Sequence, residues 1–419
     1  MNKAILITAG AAFLGAAAYL NYRRFVPRPK ALGNIRYSYK ASDLSVESEG
    51  HDLYGQLLIP LGIQGRIPTV IISHGLNSNG RNAKMLVGES LAMSGFQVYC
   101  FDFYGGSLHS ASGGDMSEMT VFTEKADLEA VINKIQSLET TDTDNLFLLG
   151  ESQGGFVTAI TAAEHPEIKG VIEYYPAFCI PEDARKRHGF PDRIPKQEKL
   201  GNSRLGREYS ASVWDYDVFD VIGGYRGPVL IIHGDNDRAV DISYGQKAAE
   251  TYEHAEFVCL PGEIHGFTGP GREKAAELSY DFIQRVMHPD EKTEILTINI
   301  TLTGSSMRQD GIYNIMTVPF TGSAAGKWFT GEIQPGAADI QRRKLWKTDR
   351  FCADYTLAGR DHTGEKCSIH IVNVNEGNGW KPTVTTDSKA LAFLNDRDCS
   401  AVLQGYKNKL TVRIFAEPY

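Results

Sequence analysis

Short apolar runs alternate with helical segments through much of the chain, and this alternation limits the possible folds more than any other feature. The runs are four to eight residues long and largely uninterrupted: Thr69–Ser73, Phe96–Phe103, Leu146–Leu149, Gly170–Tyr174, Val229–Ile232 and Glu256–Leu260. Strands that helices cover on both faces have this composition. Between them, apolar residues recur at helical spacing in Thr120–Leu138, Gln246–Tyr252 and Glu273–Val286. The pattern predicts an α/β unit with a doubly wound, mainly parallel sheet.

Two segments interrupt this alternation. Residues 178–226 are polar and rich in Pro and charged residues, although they lie between two strand runs. Connections of this length inside a compact α/β unit are usually functional, so we expect a cap over the site. After His288–Asp290 the apolar residues alternate with a period of two, which predicts a sandwich or barrel. The expected parts are an N-terminal segment and linker (1–30), an α/β unit (31–289) and an all-β unit (290–419).

The N-terminal segment contains an apolar stretch of 17 residues, Ala4–Leu20. A helix of that length reaches about 25 Å, slightly less than a typical hydrocarbon core. Four basic residues follow it and one precedes it: Arg23, Arg24, Arg28 and Lys30 after, Lys3 before. This asymmetry predicts a single-pass anchor in the cell membrane, with the bulk of the chain on the cytoplasmic side. The alternative is a signal peptide cleaved near Ala16–Ala18, which would make the protein secreted.

Charge and residue spacing exclude several classes of function. The chain has 43 Lys and Arg against 51 Asp and Glu, a net charge of −8, so it has no excess of cations to neutralise the phosphates of a nucleic acid. The sequence has no H-x-x-x-H pair, no C-x-x-C pair, no phosphate loop and no dinucleotide fingerprint. We therefore expect neither a metal nor a cofactor. The six scattered cysteines fit free thiols in a reducing compartment.

A G-x-S-x-G motif is the strongest indication of chemistry. It spans Gly150–Gly154, directly after the strand run Leu146–Leu149 and before a helical run over Phe156–Glu164. Strand, turn and helix in this order form a nucleophile elbow, in which glycines allow close backbone approach and the serine hydroxyl projects from the strand end. A second segment, Gly88–Ala92, shares the first three residues but lacks the closing glycine. Ser152 is therefore the predicted nucleophile.

A serine nucleophile needs a base and an acid, and after such an elbow the chain order is serine, acid, histidine. Asp237 and His265 fit this order, and each follows a strand run, where open α/β sheets place their sites. Asp235 is the alternative acid, but Asp237 lies further into the loop. The oxyanion should be bound by two backbone N–H groups. We assign these to Gln153, next to the nucleophile, and to Leu76, in the loop after an early strand run.

Together these motifs resemble the α/β-hydrolase superfamily, in particular its cinnamoyl (feruloyl) esterase branch and the branch related to prolyl oligopeptidases. Five segments between residues 45 and 287 carry the resemblance: His74–Leu76, Phe101–Ser107, Gly150–Gly155, His233–Asp237 and Gly262–Phe267. It implies the α/β-hydrolase fold, a catalytic triad at Ser152, Asp237 and His265, and a cap at 178–226. In cinnamoyl esterases the cap binds the phenolic end of the acyl group. Candidate substrate-binding residues in this cap are Tyr209, Trp214, Asp215 and Tyr216.

The C-terminal part, from about residue 293 to 416, resembles small bacterial β-barrel domains of unknown function. The segments that carry this likeness are Val318–Ser323, Gly331–Ile333, Pro335–Gly336 and Thr386–Leu391. The likeness implies an all-β barrel whose interior or mouth can hold a ligand. It implies nothing about reaction chemistry.

Three functions are compatible with these features. The first is a serine hydrolase that cleaves small-molecule carboxylic esters with a short or aromatic acyl group, through an acyl-enzyme on Ser152. The second uses the same residues to cleave peptides, but neither an N-terminal β-propeller nor a pair of glutamates for a free amino terminus is evident. The third is a membrane-tethered protein whose barrel binds a ligand while the hydrolase part is inert. The complete set of Ser152, Asp237 and His265 favours hydrolysis of esters.

Overall fold

A computed structural model of the protein describes residues 29–288, 293–344, 347–375, 379–406 and 408–416. The chain divides into two compact units between Val286 and Met287, and each unit has its own sheet. The predicted membrane anchor at residues 4–20 lies outside the described residues and stays a prediction. Within the described ranges, no helix has both the length and the hydropathy that a membrane crossing requires.

The first unit contains a mainly parallel sheet. The strands are β1 (Tyr39–Ser48), β2 (His51–Pro60), β3 (Ile67–Ser73), β4 (Gln97–Phe101), β5 (Thr141–Glu151), β6 (Gly170–Tyr174), β7 (Gln197–Leu200), β8 (Ser203–Gly206), β9 (Val229–Gly234) and β10 (Ala255–Leu260). Eight of them form one sheet in the order β1-β2-β4-β3-β5-β6-β9-β10, which is parallel from β4 to β10. β4, β6 and β9 are buried along their whole length, as expected of strands covered on both faces. The predicted α/β sheet is confirmed.

A hairpin at one edge of this sheet was not predicted from the apolar runs. β1 and β2 pair antiparallel along their full length, and β2 pairs antiparallel with β4. In β1 only Val46 and Ser48 are buried. An edge strand with a solvated face needs few apolar residues, so the polar sequence of Tyr39–Ser48 carries no uninterrupted apolar run.

The helices of the first unit connect the strands, and three of them overlap the periodic segments of the sequence. They are α1 (Gly80–Ala83), α2 (Glu89–Met93), α3 (Val121–Gln136), α4 (Gln153–Ala162), α5 (Ile180–His188), α6 (Arg207–Ala211), α7 (Val218–Ile222), α8 (Ile242–Thr251) and α9 (Gly269–Met287), with a π-helical turn at Lys84–Gly88. Side-chain caps precede four of these helices: Asn79 before α1, Thr120 before α3, Asp217 before α7 and Asp241 before α8. α8 and α9 begin one turn ahead of the predicted Gln246 and Glu273, because their first turns contain glycine and polar residues that interrupt the apolar spacing.

The insertion at residues 178–226 folds into a layer of short elements. It contains α5, a 3₁₀ turn at Pro191–Arg193, the β7–β8 hairpin, α6 and α7. The buried carboxylate of Glu198 is hydrogen-bonded to Arg187, His188 and Ser210, which belong to α5 and α6. Part of the charge that marks this segment in the sequence therefore lies inside it and ties its elements together.

The second unit is all-β. Its strands are β11 (Thr293–Leu302), β12 (Ser306–Asp310), β13 (Tyr313–Ala325), β14 (Phe329–Ile333), β15 (Ala338–Lys344), β16 (Lys347–Asp361), β17 (Lys366–Asn375), β18 (Lys381–Thr386), β19 (Cys399–Tyr406) and β20 (Lys409–Ala416), with a 3₁₀ helix at Lys389–Asp396. Eight of them pair antiparallel along the path β18-β17-β16-β14-β13-β11-β20-β19, and a bridge between Trp380 and Ala401 links its two ends. Off this path, β12 pairs with β13, and β15 pairs with β13 and β16. Alternate side chains of β17 are buried, such as Cys367, Ile369 and Ile371. The predicted C-terminal all-β unit is confirmed.

Candidate active site

Ser152 lies at the turn between β5 and α4, in a backbone conformation that residues with side chains rarely adopt. Its φ and ψ are 53° and −116°, and a positive φ is uncommon for a residue other than glycine. A Cβ on Gly150 would lie 2.4 Å from the carbonyl oxygen of Gly154, and one on Gly154 would lie 2.4 Å from that of Ser73. Glycine at both positions lets the turn pack against the end of β3. The hydroxyl of Ser152 lines a pocket at this edge of the sheet.

The imidazole of His265 connects Ser152 to Asp237. His265 Nε2 lies 2.9 Å from Ser152 Oγ, and His265 Nδ1 lies 2.7 Å from Asp237 Oδ2. The three residues follow β5, β9 and β10, so the ends of three strands bring them together. Because a carboxylate can only accept, Nδ1 carries the ring proton and Nε2 accepts from the Ser152 hydroxyl. These three residues of the sequence hypothesis thus form one hydrogen-bonded chain.

Several donors hold the buried carboxylate of Asp237. It accepts hydrogen bonds from the N–H groups of Ala239 (2.8 Å) and Val240 (3.0 Å), and its Oδ2 lies 3.3 Å from His233 Nε2. Burial acts to raise the pKa of this carboxyl. The hydrogen bonds from His233, His265 and the Val240 N–H outweigh that effect and hold the pKa well below its usual range. Asp237 is therefore ionised at neutral pH.

Asp235, the alternative acid in the sequence, has another partner. Its Oδ1 accepts a hydrogen bond from the Gly262 N–H at 2.6 Å, which ties the loop after β9 to the loop after β10. The loop after β10 carries His265, so Asp235 supports the position of the imidazole without contacting it. The carboxylate next to His265 is that of Asp237.

The two amide groups assigned to the oxyanion adjoin Ser152 from two different loops. Gln153 begins α4, whereas Leu76 lies in the loop after β3 and lines the same pocket as Ser152. A Cβ on Gly75 would lie 3.0 Å from the Cβ of Ser152, so this loop packs closely against the elbow. Neither the Leu76 nor the Gln153 N–H donates to another residue of the described chain. Both are available to an oxygen of a ligand.

The side chain of Gln153 belongs to a buried network that no sequence pattern indicated. Its Nε2 donates to Glu124 Oε2 (2.9 Å), and its Oε1 accepts from Tyr209 Oη (2.8 Å). Burial raises the pKa of Glu124 to about 8, so this carboxyl is mainly neutral at pH 7. Glu124 lies in α3 and Tyr209 in the cap, so both elements fix the position of Gln153 through hydrogen bonds to its side chain.

The pocket around Ser152 has a volume of about 330 Å³ and contains both apolar and charged lining residues. Glu151 and Arg272 supply the charged groups, beside His265. The side chain of Glu151 is buried, which raises the pKa of its carboxyl to about 7. Three apolar residues also line the pocket: Leu76, Met85 and Leu86.

The four residues proposed from the cap as substrate-binding residues do not line this pocket. Tyr209 is buried and bonds to the Gln153 side chain instead. Trp214, Asp215 and Tyr216 line a second cavity of about 790 Å³, between the cap and α8, which does not include the Ser–His–Asp chain. Their assignment as substrate-binding residues therefore stays a prediction, which the lining of the Ser152 pocket does not support. Composition revealed aromatic residues in the insertion but could not show which way each one faces.

Sequence comparison relates the first unit to known hydrolases. The family model described as serine aminopeptidase, S33, matches residues 66–203, which include the elbow and the Leu76 loop. Alpha/beta hydrolase domain-containing protein 17C of Xenopus tropicalis is 26% identical over 181 residues, and the Xenopus laevis protein of that name is 25% identical over 181 residues. Each match covers 42% of this chain and 49% of the relative, so the chain spans about half the length of these curated relatives.

Solved structures with the same fold align with more than half of the chain. Est1E from Butyrivibrio proteoclasticus with bound ferulic acid is 27% identical, with a TM-score of 0.53, and the alignment covers 57% of this chain and 99% of Est1E. A second Est1E structure gives 25% identity and a TM-score of 0.52 over 58% of this chain and 98% of Est1E. The alpha/beta hydrolase GrgF from Penicillium sp. is 16% identical with a TM-score of 0.50, over 59% of this chain and 99% of GrgF, a likeness of fold alone.

Proposed function

We propose that this α/β-hydrolase cleaves small-molecule carboxylic esters, with Ser152 as the nucleophile. One observation carries the proposal: a continuous hydrogen-bonded chain runs from Ser152 Oγ through His265 to the buried Asp237. Ser152 and His265 line a pocket that also contains Leu76, whose amide, like that of Gln153, has no partner in the described chain. Nucleophile, base, acid and oxyanion donors are the groups that acyl transfer requires.

The order of proton transfers follows from the hydrogen bonds. Ser152 Oγ attacks the ester carbonyl while His265 Nε2 takes the hydroxyl proton, and the ionised Asp237 stabilises the imidazolium through Nδ1–H. His265 then gives this proton to the leaving alcohol, and the acyl group remains on Ser152. In the second half a water molecule loses a proton to His265 and attacks the acyl-enzyme. The carboxylic acid leaves and Ser152 regains its proton.

The amides of Leu76 and Gln153 would stabilise the negative oxygen that forms in each half-reaction. A donor of this kind lowers the barrier because it is held in place before the charge develops, and losing one typically costs about 10²- to 10³-fold in kcat. The network at the Gln153 side chain and the close packing of Gly75 on the elbow support this arrangement.

Peptide cleavage is the second candidate, because the matching family is described as serine aminopeptidase. An aminopeptidase must hold the free ammonium group of its substrate beside the scissile bond. Here the charged groups of the pocket are one buried carboxyl, Glu151, and the guanidinium of Arg272, which repels an ammonium group. The likeness to Est1E, which is seen with ferulic acid, supports an ester with an aromatic acyl group instead.

A substrate panel tests this choice. The full chain should hydrolyse 4-nitrophenyl acetate, 4-nitrophenyl butyrate and methyl ferulate faster than aminoacyl-4-nitroanilides, with a burst of one nitrophenol per chain if deacylation is slow. Faster turnover of the anilides would contradict the assignment as an esterase and support that as a peptidase. No turnover of any substrate, together with no labelling by a fluorophosphonate, would leave the ligand-binding alternative.

The chain offers a matched control for the nucleophile. Ser152→Ala should abolish fluorophosphonate labelling and lower kcat by about 10⁶-fold, because no other group can form the acyl-enzyme. Ser90, in the related segment Gly88–Ala92, is buried in α2 and absent from the pocket. Ser90→Ala should therefore keep both labelling and turnover. Equal loss in the two variants would point to a folding defect and contradict the assignment of Ser152.

A further inference from the structure

We propose that Arg272 selects ester substrates that carry a carboxylate, by binding that carboxylate in the pocket that contains Ser152. The inference rests on the proposed function and names a substrate class for the same site. Its starting point is the pocket wall, where the guanidinium of Arg272 lies in one cavity with Ser152 and His265.

Two hydrogen bonds fix the position of the Arg272 guanidinium. Arg272 lies in the first turn of α9, and its Nε is 3.0 Å from the carbonyl oxygen of Gly266 and 3.2 Å from that of Phe267. Both acceptors directly follow His265 in the chain. The guanidinium therefore keeps a constant position relative to the imidazole.

The outer nitrogens of this guanidinium are not used by the protein. Within the described chain, Arg272 bonds only through Nε, and Nη1 and Nη2 have neither a hydrogen bond nor an ion pair. A guanidinium is a planar fork of N–H donors that matches a carboxylate in a two-point contact. Nη1 and Nη2 are thus without a partner in the described chain, on a residue that lines a cavity whose volume, about 330 Å³, fits a small ester.

No acidic side chain of the described residues forms an ion pair with Arg272, although the charge of Arg272 lowers the pKa of Glu151. Glu263 accepts hydrogen bonds from the N–H and the hydroxyl of Thr268, and Asp237 is held by His265 and its own loop. Glu151 shares the pocket wall, yet it makes no ion pair with Arg272, and its buried Oε1 has no hydrogen-bond partner. Burial raises the pKa of Glu151 to about 7, so below that pH it is a neutral donor and does not repel an anion.

The remaining wall of the pocket limits the rest of the substrate. Leu76, Met85 and Leu86 offer an apolar surface to the part of the ester that lies away from the guanidinium. A substrate with an apolar segment and one carboxylate matches a pocket with an apolar wall and a guanidinium. Half-esters of dicarboxylic acids and esters of hydroxy acids or hydroxybenzoates have this chemistry.

Two pairs of esters test the inference without assuming which side of the ester bond faces Arg272. Mono-4-nitrophenyl glutarate is compared with 4-nitrophenyl valerate, and 4-acetoxybenzoate with 4-methylphenyl acetate. In Arg272→Gln the ratio of kcat/KM for the anionic over the neutral member should fall by about 10- to 100-fold in at least one pair, mainly through KM. Arg272→Lys keeps the charge without the fork and should recover part of that ratio.

The ratio separates recognition from structural damage. Arg272→Gln also loses the bonds to Gly266 and Phe267, which affects both members of a pair equally and so cancels. Arg226→Gln is the matched control, because it removes one exposed arginine that pairs with Glu253 on the surface. This control should leave every ratio unchanged.

Unchanged ratios in both pairs for Arg272→Gln, with normal turnover of the neutral esters, would overturn the inference and leave the proposed function intact. A wild-type protein that neither hydrolyses any of the four esters nor reacts with a fluorophosphonate would overturn both.

Discussion

Two cavities of the first unit differ in size and in how their polar groups are used. In the cavity of about 790 Å³ between the cap and α8, several polar groups of the wall contact one another. Glu182 accepts from Lys186 at 2.7 Å and from the Tyr244 hydroxyl, and the Lys247 ammonium lies 3.8 Å from the centre of the Phe219 ring. The contacts of Tyr244 and Lys247 stabilise the packing of the cap on α8.

The pocket of about 330 Å³ shows the opposite arrangement. Ser152, His265 and Asp237 are held in one hydrogen-bonded chain, whereas Arg272 lines the same cavity and has outer nitrogens without a partner in the described chain. The comparison teaches that the volume of a cavity does not identify the candidate active site. The candidate site is instead marked by polar groups that the protein holds in position and that have atoms available to a ligand. Three pairs of variants test this difference. In each pair, one variant changes the pocket of Ser152 or a residue that supports it, and the other changes the larger cavity.

The largest difference is expected between two aspartates. Asp237→Asn should lower kcat for 4-nitrophenyl butyrate by about 10⁴-fold, because an amide lets His265 adopt the wrong tautomer. Asp215→Asn, in the larger cavity, should stay within about two-fold of the wild type, as expected of an exposed surface change. Steady-state kinetics at saturating ester give both values. A loss below ten-fold in Asp237→Asn would break the comparison.

An intermediate difference is expected between two tyrosines of the cap. Tyr209→Phe removes the hydrogen bond to Gln153 Oε1, which helps to place the Gln153 amide, and should lower kcat about 5- to 10-fold with KM unchanged. KM is unaffected because the oxyanion exists only after the attack. Tyr216→Phe, whose ring packs against Phe122 in the larger cavity, should change neither constant. A rise in KM for Tyr209→Phe would instead support the direct substrate contact inferred from the sequence.

The smallest difference is expected between two glutamates, in how the KM ratio of anionic over neutral ester depends on pH. Since the pKa of Glu151 is raised to about 7, this group is neutral below that pH and anionic above it. A negative charge beside Arg272 weakens the binding of a carboxylate, so the KM ratio of the anionic over the neutral ester should rise about 3-fold from pH 6 to pH 8. Glu151→Gln should remove this rise, whereas Glu182→Gln, in the larger cavity, should keep it.

The other groups around Glu151 do not produce this pH effect. Burial raises the pKa values of Tyr174, Tyr175 and Cys100, which therefore stay neutral between pH 6 and 8. Asp237 is ionised throughout the range, and Arg272 keeps its charge. The comparison with Glu151→Gln separates the contribution of Glu151 from that of His265. A flat ratio in the wild-type protein would show that Glu151 does not face the bound carboxylate.

The fold was predictable because it depends on patterns that are local in the chain. Uninterrupted apolar runs marked the parallel strands, and period-two runs marked the second unit, so the resemblance to α/β-hydrolases and the C-terminal all-β unit are confirmed. The motif around Ser152 and the positions of Asp237 and His265 after strand ends indicated residues that the structure does bring within hydrogen-bonding distance. The edge strand Tyr39–Ser48 was missed because its exposed face removes the apolar signal.

The second layer of the site was not predictable, since it consists of contacts between distant side chains. Glu124 meets Gln153 across 29 positions, and Tyr209 meets it across 56 positions. Arg272 reaches the pocket from the first turn of a helix whose early residues lack apolar spacing. No local pattern distinguishes these residues from surface residues of the same type. The direction of a side chain in an irregular cap is set by packing, so the sequence did not show that Tyr209 contacts the Gln153 side chain.

The contact between the Ser152 turn and the Leu76 loop leaves almost no mutational tolerance at two positions. A Cβ on Gly154 would lie 2.4 Å and 2.5 Å from the carbonyl oxygens of Ser73 and His74, and one on Gly75 would lie 3.0 Å from the Ser152 Cβ. A methyl group at either glycine would displace the proposed nucleophile relative to the proposed oxyanion donor. In the proposed mechanism, the distance between these two groups is thus set by residues that contribute no side chain to the reaction. We therefore expect a variant at either glycine to lose activity although every proposed reacting group is present.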